Sequence, residues 1–227
     1  MNARQIKELF EKYKSFLRSD YKNDRLHLWE SQYYFQKHWN IDATDFLGMY
    51  DSSLQNSVTK RLWKREAYEP KRMMMEFIKM DPEWTRQTFK ELFDESRTIE
   101  GRAGRFIFYC DHLLETYKNA HPLSIDNNHY HEDGYQMVFL YLAFRYPELY
   151  APYQHEPFVN LLKKVGAVDP PLVPDVERFT KVCRTLFKMM QNDSELIQLH
   201  QQRLIPGQHY EAPSLLIVYD FYMSVEF

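Results

Sequence analysis

The stretch YQMVFLYLAFRY, Tyr135 to Tyr146, carries apolar side chains on nearly every side of a helical wheel. A helix that is hydrophobic all round has no face to give to water, so other elements must enclose it. No run in the chain reaches the roughly 18 apolar residues of a membrane span, so that enclosure has to come from protein. Pro147 supplies the stop, because the residue before a proline is pushed out of the helical region. The rest of the chain is therefore expected to form a jacket around residues 135–146.

The jacket is legible as a series of one-sided helices. Ile6, Leu9, Phe10, Tyr13, Phe16 and Leu17 fall on one face of a first helix. Leu26, Trp29, Tyr33 and Gln36 mark a second, with Trp39 near its end, and Asp42 is placed to cap a third with Asp45 in its first turn. Pro70 suits the opening of a helix that runs to Met80. Asp81 then reads as the cap, and Pro82 as the first residue, of a helix that buries Thr85, Phe89, Leu92 and Phe93. Residues 103–118 bring Phe106, Cys110, Leu113 and Tyr117 into register. Pro157 opens another helix and Gly166 closes it as a left-handed cap. Val176, Phe179, Val182, Cys183, Leu186, Phe187 and Met190 form a clean stripe, and Asp193 caps a shorter helix after it. The terminal SLLIVYDFYMSVEF is β-rich by propensity, yet a helix agrees with everything before it. The reading is an all-α, single multi-helix domain over residues 1–227, with about nine or ten helices. Its best internal boundary is DPPLVP, near residues 168–175.

Composition narrows the function classes. With 16% aromatic residues in 227, the chain can bury a large core, while only six glycines argue against glycine-rich phosphate loops. The net charge of −3 means that any hold on nucleic acid must come from a local patch. Cys110 and Cys183 sit within apolar helical patterns and read as two reduced, buried thiols, which suits a cytoplasmic protein. The charged, amphipathic first residues do not resemble a secretory leader.

Motifs for catalysis are missing. The chain holds no P-loop, no G-x-S-x-G elbow, no C-x-x-C pair and no helical H-E-x-x-H. HYHED, His129 to Asp133, mixes imidazoles and carboxylates as a metal site would, but with no second ligand cluster it reads far more readily as a solvated loop entering a helix. Cys110 and His112 are two apart, and such residues do not face each other on a helix. Glu69-Pro70-Lys71 has the E-x-K form of many nucleases, with a proline in the middle that spoils the strand it would need. No catalytic role, metal or cofactor is expected.

One stretch is locally basic. TKRLWKREAYEPKRMMMEF gathers Lys60, Arg61, Lys64, Arg65, Lys71 and Arg72 around Trp63 and Tyr68. Cations neutralise phosphates and an exposed aromatic ring stacks on a base, so the stretch is a candidate DNA-binding surface. The competing reading is a solvated helix face with Trp63 and Phe77 packed inward. Met73, Met74 and Met75 read as core more readily than as an adaptable binding surface. Arg97, Arg102, Arg105, Lys163 and Lys164 would extend a basic surface if they shared its face.

The run RLWKREAYEPKRMMMEFIKMDPEWTRQTFKELFDES resembles the N-terminal region of bacterial McrB-like AAA+ restriction proteins. A Leu-Trp precedes Tyr-x-Pro-Lys and a methionine-rich helix, then a D-P-E helix ends in L-F-D-E. YLAFRYPELYAPYQHEPFVNLLKKVGA, with its F-R-Y-P turn, is similar to a second block, and the likeness extends over about residues 5–222. The resemblance implies a helical domain placed before an AAA+ motor, in cis or in trans. That motor works with a McrC-like nuclease subunit to cut foreign, often modified, DNA. The implied role is non-catalytic target recognition in phage defence, with DNA, modified DNA included, as ligand. The alternative is a protein-interaction module that senses a phage or host protein or organises the AAA+ ring. The resemblance carries over no base-reading residue.

Overall fold

The computed structural model describes residues 2–57, 69–124 and 134–225. Among these residues there are eleven α-helices, one short 3-10 turn and no strand, so the all-α expectation holds, with the helix count just above the expected one. No helix among them is long and apolar enough to cross a membrane.

The all-round apolar segment is helix α7, Gln136–Arg145, and every residue from Met137 to Phe144 is buried. Its jacket begins with α1 (Ala3–Leu17), whose Ile6, Leu9, Phe10, Tyr13 and Leu17 face inward as their spacing requires. Helix α2 (His27–His38) packs directly on α7 and on α3 (Phe46–Ser53). The contacts made on α7 by α2 and α3 are specific. Gln32 Nε2 donates to the Ala143 carbonyl at 2.9 Å, and the Tyr50 and Tyr141 hydroxyls meet at 2.7 Å. The buried face of α2 is rotated from the expected one: Leu28, Trp29, Gln32 and Phe35 are enclosed, while Gln36 is exposed. Gln32 faces inward because its amide bonds a core carbonyl, so the polar label at position 32 misleads a periodicity count.

Helix α3 starts later than its sequence suggests. Asp45, not Asp42, is the N-cap, and its carboxylate accepts from the Gly48 N–H at 2.9 Å. A Cβ on Gly48 would lie 2.2 Å from Asp45 Oδ2, so this cap needs glycine at the third helical position. Asp42 instead faces Lys90, 2.9 Å away.

Helices α4 (Pro70–Met80) and α5 (Pro82–Leu92) are separated by Asp81 alone. Its N–H closes α4 on the Phe77 carbonyl, and its side chain opens α5 by accepting from Trp84 N at 2.9 Å. Met73 and Met74 are fully buried, as core methionines should be. Helix α6 (Ile99–Ala120) is longer than expected at both ends; its first turns contain Gly101 and Gly104, which weaken the pattern without breaking the helix. Helix α8 (His155–Lys164) begins two residues before Pro157 and ends at Gly166, whose φ of +64° is the left-handed cap. Helix α9 (Val176–Gln191) buries the whole predicted stripe, and Asp193 caps α10 (Ser194–Gln201). The ambiguous terminus is helix α11 (Leu216–Ser224), enclosed from Leu216 to Tyr222. Cys110 and Cys183 are free and fully buried, and burial pushes both thiols well above their usual pKa.

Inside α11 sits a buried carboxylate. Asp220 accepts from the Tyr13 hydroxyl at 2.8 Å, from Arg203 Nη2 at 2.6 Å and from Arg25 Nε at 2.6 Å. Burial alone would raise its pKa, but the two guanidiniums and the Tyr13 hydroxyl hold it below the usual carboxylate range. Arg203 in turn lies over the Trp29 ring and donates to Nδ1 of His200 at 3.1 Å. A second ionic tie joins α1 to α10. Lys14, on the core side of α1, meets Glu11, Asp193 and Glu195 within 3.0 Å. Burial lowers its ammonium pKa, but these three acceptors outweigh it and the net shift is upward.

Two outcomes are expected from this network. Asp220→Ala leaves Arg203 and Arg25 without their carboxylate and should lower unfolding stability by about 3–5 kcal/mol, read from urea denaturation. Burial, then the Arg203 charge, push His200 down from 6.5 to about 3. Between those values the unfolded chain holds a proton that the folded chain refuses, so stability present near neutrality is lost as pH falls. This one group contributes at most about 1.4 kcal/mol per pH unit. In His200→Asn, whose Oδ1 can replace Nδ1 as acceptor, the dependence of the urea midpoint on pH between 6.5 and 3 should flatten.

Candidate functional site

Three helices end at one place. Trp39, Phe93 and Tyr146 are the C-cap residues of α2, α5 and α7, and all three line a single cavity of about 370 Å³. Asn40, Ile41, Lys90 and Arg145 complete it. Each ring is placed by helix termination. The N–H of Trp39 closes α2 on the Phe35 carbonyl, and the Tyr146 N–H closes α7 on Leu142, just before the proline that stops it.

The rings are braced from behind. Trp39 stacks on Phe35 at 4.6 Å and meets Phe89 and Phe93 edge-on at 5.2 and 5.6 Å. Tyr146 donates its hydroxyl to the Phe93 carbonyl at 2.6 Å, which ties the end of α7 to the end of α5. Burial, the largest influence, raises the Tyr146 pKa, so this hydroxyl keeps its proton and its bond. The floor is therefore rigid before anything binds.

The two cations are held differently. Lys90 bonds Asp42 at 2.9 Å. Arg145 lies 5.0 Å from the centroid of the Tyr146 ring and has no carboxylate within 4 Å among the described residues. Helix C-termini carry partial negative charge, so a cation beside them is favoured and an isolated anion is not. Lys90 and Arg145 thus largely balance three helix ends. What remains suits a flat, uncharged or weakly polar face stacked on aromatic rings better than a bare phosphate.

The basic stretch expected to bind DNA is described only in part. Lys60, Arg61, Trp63, Lys64, Arg65 and Tyr68 lie outside the described residues, as does the HYHED segment, His129 to Asp133. Lys71 and Arg72 are described and point to different jobs. Lys71 turns inward, with Nζ 2.6 Å from the Asp51 carboxylate and 3.1 Å from the Leu54 carbonyl, where it closes the end of α3. Arg72 is half exposed and pairs with Glu69 at 3.4 Å.

The further cations do not form one surface. Arg102 is buried and bonds Glu95, the Leu92 carbonyl and the Tyr150 hydroxyl. Arg97 and Arg105 share Glu91, each at 3.5 Å. Lys164 donates to the Val225 carbonyl. Cys110 is enclosed while His112 is exposed, so the two are not a nucleophile and its base. Among the described residues, no group of three or more His, Cys, Asp or Glu side chains is placed to hold a metal ion. Comparison with protein-family models, with curated proteins and with solved structures returned no match.

Sequence reading passed over Trp39, Lys90, Phe93, Arg145 and Tyr146 as a group. They come from three segments far apart in the chain, and only the joint ending of their helices brings them together. The available signal was weak: each segment places an aromatic residue at a helix end, within one turn of a basic residue.

Exposed and inward cations should separate on substitution. Lys71→Met should cost about 1–2 kcal/mol of stability, because it removes charge-assisted bonds to the end of α3. Arg72→Met, Lys90→Gln and Arg145→Gln should each stay within about 0.5 kcal/mol of the parent in urea titrations.

Proposed function

We propose that this chain is the target-recognition domain of a McrB-like restriction system and that it binds DNA without catalysing a reaction. The observation that carries the reading is the cavity where Trp39, Phe93 and Tyr146 meet Lys90 and Arg145. Its size and aromatic walls fit one nucleobase turned out of the duplex, stacked on a ring and edged by a guanidinium. The phosphates would be held by the basic stretch, with Lys60, Arg61, Lys64 and Arg65 as contacts and Trp63 or Tyr68 as its aromatic element. The resemblance of residues 61–96 and 141–167 to McrB-like N-terminal regions supports the same reading, and Arg145 and Tyr146 belong to the F-R-Y-P turn of the second block. An AAA+ motor and a McrC-like nuclease would then supply hydrolysis and cleavage.

A protein-interaction role is the second reading, and one patch favours it. Trp84 and Phe108 are 43% and 68% exposed, with Tyr109 packed against both. Exposed rings braced on one another are the pattern of a protein contact more than of a base pocket.

A titration distinguishes the readings. Matched duplexes, unmodified or carrying methylated, hydroxymethylated or glucosylated cytosine, are titrated at several salt concentrations. With two to four phosphate contacts, affinity should fall with salt at a log–log slope of roughly −2 to −4. Arg61→Ala with Lys64→Ala should reduce that slope by about 2 and weaken every duplex alike. Lys90→Ala with Arg145→Ala should instead shrink the preference for one modified duplex. If no duplex binds at low salt, the DNA reading fails and the Trp84–Phe108 patch becomes the surface to test with phage and host proteins.

A further inference from the structure

We infer that a second cavity, between α9, α10 and the segment leading into α11, binds a small molecule with an apolar body and one oxygen acceptor. The inference does not depend on the DNA reading. The cavity measures about 260 Å³, at the small end for ligand sites, so its occupant is fragment-sized. Phe187, Ile197, Pro213 and Ile217 give it apolar walls, and His200 and Ser214 give it polar points.

His200 determines the ligand chemistry. Its Nδ1 accepts from Arg203 Nε at 3.3 Å and from Nη2 at 3.1 Å. A guanidinium only donates, so Nδ1 must offer its lone pair and Nε2 must carry the proton. The ring is 5% exposed, and Nε2 has no partner among the described residues. Because the ring lines the cavity, its Nε2–H is the donor that the imidazole can offer there. Burial and the Arg203 charge keep the ring neutral, with a pKa near 3, so this donor persists across the physiological range. Ser214 adds to it. Its Oγ accepts from Leu216 N at 3.1 Å, a bond that does not use the hydroxyl proton.

Two donors among apolar walls call for an acceptor on an apolar body. A lone water would satisfy the donors and leave the walls wet, which is the unfavourable state that burial relieves. A cation is disfavoured, because Arg203 lies directly behind the imidazole and is itself positively charged. A neutral carbonyl and a carboxylate both present the required oxygen.

Three probes of similar shape test this on the full chain: phenylacetamide, phenylacetate and ethylbenzene. Nitrogen–proton NMR follows the His200 ring and the backbone amides of residues 196–201 and 212–218. Saturable shifts are expected with phenylacetamide, phenylacetate or both, with ethylbenzene about tenfold weaker for lack of the hydrogen bond. Tighter phenylacetate binding identifies a carboxylate ligand, and tighter phenylacetamide binding a neutral one; either result supports the site. His200→Phe should erase the tenfold preference. Ile197→Trp, which fills the cavity from its partly exposed side, should abolish binding of all three probes, and it leaves Arg203 and Asp220 untouched if the imidazole variant folds poorly. The site is overturned if no probe saturates up to millimolar concentration, if all three bind equally, or if Ile197→Trp binds as the parent does.

Discussion

The ion cluster at Asp220 is the constraint on which the arrangement of chain ends depends. A carboxylate with no exposed surface requires full compensation, and no single element provides it. Tyr13 comes from the first helix, Arg25 from the segment before the second, and Arg203 from the end of the tenth. The last helix can dock only when all three are in place. Burying such a cluster adds little net stability over an apolar equivalent, because desolvation offsets attraction. Its effect is selective: any other rotation of α11 leaves two guanidiniums and a carboxylate unpaired in the core. Lys14, with Asp193 and Glu195, fixes α1 against α10 by the same logic closer to the surface.

These clusters explain which parts of the fold could be read from the sequence. α7 and α9 were legible because burial follows hydrophobicity there residue by residue, with no polar exception on the inner face of α9 from Val182 to Met190. The opening at Pro70, the Asp81–Pro82 junction and the Gly166 cap were legible because each rests on local backbone chemistry. α11 was not, since its apolar residues lack helical period and its one polar residue looks like a surface aspartate. Only the distant arginines make that position an interior one. Gln32 and Lys14 mislead in the same way, for a long-range partner turns each polar residue inward. Asp42 reads as the cap on paper, with Asp45 in the first turn; Gly48 beneath the Asp45 carboxylate, and Lys90 across from Asp42, move the cap to Asp45.

The candidate site was less legible than the fold, for a related reason. A run of lysines and arginines announces itself in sequence, whereas a cavity made by three converging helix ends does not. Proximity in sequence also says little about shared purpose. Lys71 and Arg72 are adjacent, yet one closes the end of α3 and the other lies at the surface beside Glu69. Arg102 and Arg105 are one turn apart on α6, and only the first enters the core.

On the DNA reading, electrostatics would divide the labour between the basic stretch and the aromatic cavity. Three helix C-termini focus negative potential on the cavity, and Lys90 and Arg145 answer it locally. Cations committed in this way contribute little long-range attraction for a polyanion, and a chain of net charge −3 contributes none. An aromatic cavity so balanced can discriminate among flat, neutral faces, but it cannot recruit a duplex. Recruitment then needs other cations, and the densest basic run in the sequence is Lys60 to Arg65. On the DNA reading, then, affinity and its salt dependence belong to that run, while preference among bases belongs to Trp39, Phe93 and Tyr146. The two properties should respond to different substitutions, as they could not if one surface carried both.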